Sequence, residues 1–357
     1  MTVTEVSCRR LTAALHAPFV TALRATSTLE TLVVEIVDAD GVRGFGEAPQ
    51  VWRVTGESLA GAEACVLGPL RNVVIGRSSD DLTPLLREVA LAVVGNFGAK
   101  SAVDVALHDL TARRLGVSLP HLLGTTRHRV DTDVTVSAGS VDQLTIDASS
   151  RVADGFAVLK LKLGTDAVTD VTRVVAVRDA VGPDVRIRVD ANQGWTARQA
   201  IAVIRRLEDA GADLEFVEQP VPAYDLEALA HVTAAVDTPV MADEAVFGVR
   251  DLAALIEHGA ADLVNVKLAK CGGLAQARVM LDLAAAHGVG TIVGSMMEGP
   301  IGVGAAASLV ASRPTTATSD LDAAWWLSAS PVRGGLVYDA GTITLPAGPG
   351  LGIEGLT

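Results

Sequence analysis

Eight polar residues, each closing a short β-branched run, recur along this chain: Thr135, Lys162, Asp190, Glu218, Asp243, Lys267, Ser295 and Asp320. Their successive spacings are 27, 28, 28, 25, 24, 28 and 25 residues, the length of one strand, one helix and two short loops. Amphipathic segments such as TARQAIAVIRRLEDAG fill the intervals, with Gly211 where a C-terminal helix cap belongs. Eight consecutive β/α units of this length predict a closed parallel barrel, the last strand followed by a truncated helix. The functional groups of such a barrel lie at the C-terminal ends of its strands.

Residues 1–125 read differently, as an α+β unit. There LVVEIVDADGVRGFGEAP holds the turn signal Asp40-Gly41 between two strands, and AKSAVDVALHDLTARRLG is a helix stopped by Gly116. The barrel is assigned to residues 126–323. Residues 324–357, with Trp325, Trp326 and the strand-and-turn run GGLVYDAGTITLPAGPGLGI, are expected to pack back on the N-terminal unit as part of a cap. With 49% hydrophobic but only 3% aromatic residues, the core must be built from Ala, Val, Leu and Ile, which suits a barrel. The net charge of −13 argues against a nucleic-acid partner. Gly288–Ser312 is nearly uncharged, but Glu298, Pro300 and several glycines interrupt it, so no membrane span is expected. Cys8, Cys65 and Cys271 show no motif spacing, and MTVTEVSCRR lacks the apolar core of a signal peptide. A cytoplasmic protein is the expectation, with a homo-oligomer left open.

Side chains two apart on a strand share a face, so Lys160 and Lys162 in KLKL point into the barrel together. Desolvation and mutual repulsion are expected to bring one of them toward neutrality, as a general base requires. Asp190, Glu218 and Asp243 close three consecutive strands, and carboxylates converging there call for a divalent cation. A set of oxygen donors alone favours Mg²⁺. Lys267 closes the sixth strand, opposite the second in a ring of eight, so it faces Lys162 across the cavity. Two bases on opposite faces of one carbon suit racemisation or epimerisation.

These residues stand in motifs, KLK, RVDANQGW, EFVEQP, MADEAV, NVKLAKCGG and GSMMEG, whose order resembles the enolase superfamily, in particular its muconate lactonizing enzyme subgroup. The resemblance implies a modified TIM barrel, (β/α)7-8, under an α+β capping domain built from the N-terminal region and the C-terminal segment. It also implies proton abstraction next to a carboxylate, with Mg²⁺ on Asp190, Glu218 and Asp243 stabilising the enediolate. Lys162 and Lys267 are then the acid and base, and Lys160 tunes Lys162 and helps hold the substrate carboxylate.

Asp320 and Asp322, in SDLDAA, should face inward as a pair suited to an ammonium group, and resemble the Asp-x-Asp of dipeptide epimerases. Arg24, in TALRATSTLET, resembles the cap-loop arginine of epimerases of the L-Ala-D/L-Glu kind, which meets the glutamyl carboxylate. Thr135, Ser295 and Met297 match positions lining the substrate. Trp52 and Arg53, in a second cap loop, stand where they can contact the substrate side chain and put strict preference for Ala-Glu in doubt; the role of Glu298 is open. The expected activity is epimerisation of a dipeptide at its C-terminal residue, first L-Ala-L-Glu. The alternatives are a muconate cycloisomerase, an o-succinylbenzoate synthase, an N-acylamino acid racemase or, in another class, a barrel that only binds a carboxylate or metal.

Overall fold

In the computed structural model, which describes residues 2–357, β1 (Val3–Val20) and β2 (Ala25–Asp38) form a long antiparallel hairpin whose tip is Thr21–Arg24. The Thr21 hydroxyl accepts from the Leu23 and Arg24 amides, at 3.1 and 3.2 Å, and so shapes the tip. β3 (Arg43–Pro49) pairs with β2. The helix Phe97–Arg114 lies directly on β3, where Gly44 and Gly46 have no side chain to hold it off. A Cβ on either would stand 2.1 or 1.7 Å from a helix carbonyl oxygen. The far side of the helix meets the barrel, with Asp104 Oδ1 accepting from the Leu274 amide at 2.7 Å. Covered on both sides, it is buried nearly all round and shows no single apolar stripe.

The seven-stranded sheet runs in sequence order through β5 (Val134–Val136), β6 (Val158–Lys162), β7 (Arg186–Asp190), β8 (Leu214–Glu218), β9 (Val240–Ala242), β10 (Leu263–Lys267) and β11 (Gly290–Gly294), all parallel. The run VDTDVTVS, read as one strand, divides: β4 (Arg129–Asp131) leaves the barrel to pair with β14 (Thr342–Thr344), and β5 continues into it. At the eighth position ATSDLDA is not a strand. Two isolated parallel bridges, Gly294 with Asp320 and Thr132 with Ser319, close the ring. Hydroxyls replace carbonyls as the acceptors along this seam: Thr316 for Thr291 N, Ser319 for Val293 N and Thr132 for Leu321 N.

Residues beyond the seam reach the N-terminal region. Leu351 N donates to Asp109 Oδ1 at 2.6 Å, and Arg113 Nη2 to the Ile353 carbonyl at 2.7 Å. Glu47 on β3 accepts from the Gly299 and Gly302 amides, at 2.6 and 2.9 Å, tying the sheet to the loop after β11. Among the described residues, no helix is long and apolar enough to cross a membrane.

Candidate active site

β6 and β7 are paired so that Lys160 lies beside Arg188 and Lys162 beside Asp190. Lys160 is fully buried, with Nζ 2.7 Å from Asp320 Oδ2, 2.7 Å from Glu218 Oε2 and 3.2 Å from Asp190 Oδ2. Lys162 Nζ donates to Asp190 Oδ2 at 2.6 Å, and across the ring Lys267 Nζ donates to Asp243 Oδ2 at 2.8 Å. β6 and β10 stand four places apart in the ring order, so the two lysines approach from opposite walls. Gly294 makes room for Lys267, since a Cβ there would stand 2.8 Å from its Cε.

Of the two lysines on β6, Lys160 is not the one brought toward neutrality. Burial pulls the Lys160 ammonium down, but Asp320, Glu218 and Asp190 outweigh it and hold it well above the ordinary value. At Lys267 burial is likewise overridden, chiefly by Asp243. In return Asp190 and Asp243 lie below the usual carboxylate range despite burial, and Asp320 is lowered to about 2. Burial and then Asp320 raise Asp322, whose Oδ2 accepts from Thr135 N at 2.7 Å and Trp326 Nε1 at 2.9 Å.

Among the described residues, no group of three acidic, His or Cys side chains forms a ready-made metal cage, because ammonium groups stand between them. The donor chemistry nevertheless fits a hard divalent cation. Glu218 Oε2 lies near the Lys160 charge yet accepts no hydrogen bond, and Glu244 Oε2 and Asn192 Oδ1 are buried and equally unsatisfied.

Sequence reasoning missed three groups here. Lys270 Nζ stands 2.5 Å from Asp243 Oδ1; Glu244 is raised to about 8 by burial and Asp243; Asn192 Nδ2 donates to Glu244 Oε1 at 3.2 Å. The adjacent acids in MADEAV were the available signal. Asn192 and Gln219 leave their strands with φ of 42° and 37°, a left-handed turn that points both back into the site. By formal charge Asp190, Glu218, Asp243, Glu244, Asp320 and Asp322 face four lysines, leaving two negative charges for one divalent cation to balance.

A cavity opens above these groups. Lys162, Asp243, Lys267, Thr135, Ser295, Met297, Asp320 and Asp322 line its barrel side, while Lys160, Asp190 and Glu218 lie beneath its lining. Phe19, Leu23 and Arg24 from the hairpin, with Val51 and Val54, form its roof. Trp52 and Arg53 are not among the lining residues; they belong to a neighbouring cavity, and Trp52 is 61% exposed.

Residues 143–355 match the family model of the enolase C-terminal domain-like proteins, and residues 3–124 that of the mandelate racemase/muconate lactonizing enzyme N-terminal domain. The sequence is 40% identical to the L-Ala-D/L-Glu epimerase of Bacillus subtilis over 99% of this chain and 97% of that one. It is 35% identical to the hydrophobic dipeptide epimerase of Enterococcus faecalis over 99% of this chain and all of the other. Among solved structures, a substrate-liganded complex of the Bacillus subtilis enzyme superposes with a TM-score of 0.97, at 39% identity and over 100% of both chains. The Enterococcus faecalis enzyme complexed with Mg and L-Leu-L-Tyr gives 0.95, at 35% identity and over 99% of both.

Proposed function

This chain belongs to the mandelate racemase/muconate lactonizing enzyme family of the enolase superfamily, and from that premise we propose that it is a Mg²⁺-dependent dipeptide epimerase, with L-Ala-L-Glu and L-Ala-D-Glu its first substrate pair. The observation that carries this reading is the cavity itself. Lys162 and Lys267 enter it from opposite walls, with Asp320 and Asp322 also in its lining and Arg24 in its roof.

Asp190, Glu218 and Asp243 would hold Mg²⁺, whose charge lowers the cost of negative charge developing on a carboxylate. Lys162 and Lys267 exchange the α-proton of the C-terminal residue, one removing it and the other returning it to the opposite face. The electron pair left behind spreads into the substrate carboxylate as an enediolate. Asp320 and Asp322 accept from the ammonium of the first residue, which fixes the α-carbon between the lysines. Arg24 meets an acidic side chain; it makes no ion pair among the described residues, and burial lowers its guanidinium. The hairpin tip and the loop of Val51 and Val54 exclude water. The work is divided between a barrel of residues 126–323 and a cap of residues 1–125 and 324–357. Three free cysteines support a cytoplasmic setting.

Incubation with Mg²⁺ and L-Ala-L-Glu in D₂O tests the reading, with α-deuterium and D-Glu content followed together. Lys162→Ala and Lys267→Ala are each expected to lower epimerisation by about 10³-fold. Each variant should still exchange the proton of the one epimer that faces its surviving lysine. Exchange in neither epimer, or unchanged epimerisation, would sink the two-base assignment. Asp320→Asn separates this activity from the muconate and succinylbenzoate reactions, whose substrates carry no ammonium: a large loss is expected here.

A further inference from the structure

Trp52 and Arg53 line a second cavity that shares Arg24 and Met297 with the cavity over the lysines. Those two side chains are therefore the partition between neighbouring spaces. Arg24 stands at the partition and Arg53 in the second space, and neither makes an ion pair among the described residues. Glu30 on the same wall is engaged by the Gln50 amide. Half-buried Arg24 and solvent-exposed Arg53 follow one another along this wall, on a chain of net charge −13, and offer two cationic donors to an anion longer than a glutamyl side chain. The exposed Trp52 indole offers a flat apolar face beside that route.

Resting on the dipeptide epimerase reading, we propose that this second cavity is an annex of the substrate site. It takes a substituent joined by an amide bond to the side-chain carboxyl of the substrate's C-terminal residue and ending in a carboxylate of its own. The α-carboxylate stays free, so the chemistry at the α-carbon is unchanged. The side-chain carboxyl is now an amide, to whose carbonyl oxygen Arg24 donates. One further residue extends the chain by about 3.5 Å, and the new carboxylate meets Arg53. The substrate class is thus wider than free dipeptides: it includes dipeptides whose acidic residue is linked through its side chain to a further amino acid.

The test compares three probes on the full chain with Mg²⁺ in D₂O: L-Ala-L-Glu, L-Ala-L-Gln, and L-Ala-L-Glu with its side-chain carboxyl amide-linked to the nitrogen of glycine. The glycine-extended probe is expected to exchange its α-proton with a kcat/KM about five-fold above that of L-Ala-L-Gln. Arg53→Ala should erase that margin and leave L-Ala-L-Glu within about two-fold of the wild type, and Arg53→Lys should keep part of the margin. An extended probe no better than L-Ala-L-Gln, or a margin that survives Arg53→Ala, overturns the annex and leaves the epimerase standing. If L-Ala-L-Glu itself fails to exchange, the epimerase reading falls first and takes the annex with it.

Discussion

Glu298 is 3% exposed, with Oε1 accepting from the Met296 amide at 2.8 Å and the carboxyl of Glu47 nearby. Burial, with Glu47 adding to it, raises its pKa from the ordinary 4.5 to about 7. Between those two values the folded protein keeps a proton that the unfolded chain has released, so stability falls as pH rises through that window. Glu298→Gln has no such proton to lose. Its melting temperature relative to the wild type should climb between pH 4.5 and 7 and level off above, and a gap that stays flat would remove Glu298 from this account. The same carboxyl holds the backbone between Ser295 and Met297, so its protonation state bears on the lining of the site as well as on stability.

Arg188, fully buried on β7, works at the scale of the strand. It donates to Asp133 Oδ2 at 3.1 Å, to the Thr318 carbonyl at 2.7 Å and to Glu215 Oε2 at 3.0 Å, and its guanidinium lies 4.6 Å from the centre of the Phe216 ring. It thereby helps fasten the seam segment that carries Asp320 and Asp322, where isolated bridges and hydroxyl contacts take the place of a regular strand. Arg188→Met leaves Asp133 buried without its partner, and a loss of about 3 kcal/mol in denaturant unfolding is expected. Amide exchange at Ser295 and Asp320 should quicken more than in β6 or β7. Equal quickening everywhere would show that Arg188 serves the barrel in general and not the seam. The strand-end series that betrays the barrel in the sequence could not betray this device. Periodicity reports which residues end a strand and which face they share, and so Lys162, Asp190, Glu218, Asp243 and Lys267 were legible. Periodicity does not encode which hydroxyl replaces a carbonyl, which ammonium stands between two carboxylates, or the left-handed turn at Asn192 that brings its amide to Glu244. For Trp52 and Arg53 a loop's position in the chain gives their neighbourhood but not which of two adjoining cavities their side chains line.

For the whole molecule, the excess of buried acid at the barrel mouth makes stability depend on a cation that only the folded state gathers. With free Mg²⁺ at a hundred times its dissociation constant, the folded state gains about 2.7 kcal/mol. Chelation should lower the melting temperature reversibly, and Glu218→Gln should shrink that response; a melting temperature indifferent to Mg²⁺ in the wild type would contradict the ligand assignment. The cap has its own consequence for how the molecule comes into being. Asp109 bonds to Leu351, 242 residues later in the chain. At about 5–20 residues per second on the ribosome, the helix Phe97–Arg114 waits roughly 10–50 s for that partner. Throughout that interval Gly350, Leu351 and Ile353 do not yet exist to cover it, so the nascent chain carries an unfinished roof over a barrel still being strung together. The helix that joins cap to barrel is thus the one most in need of shelter while the chain is made.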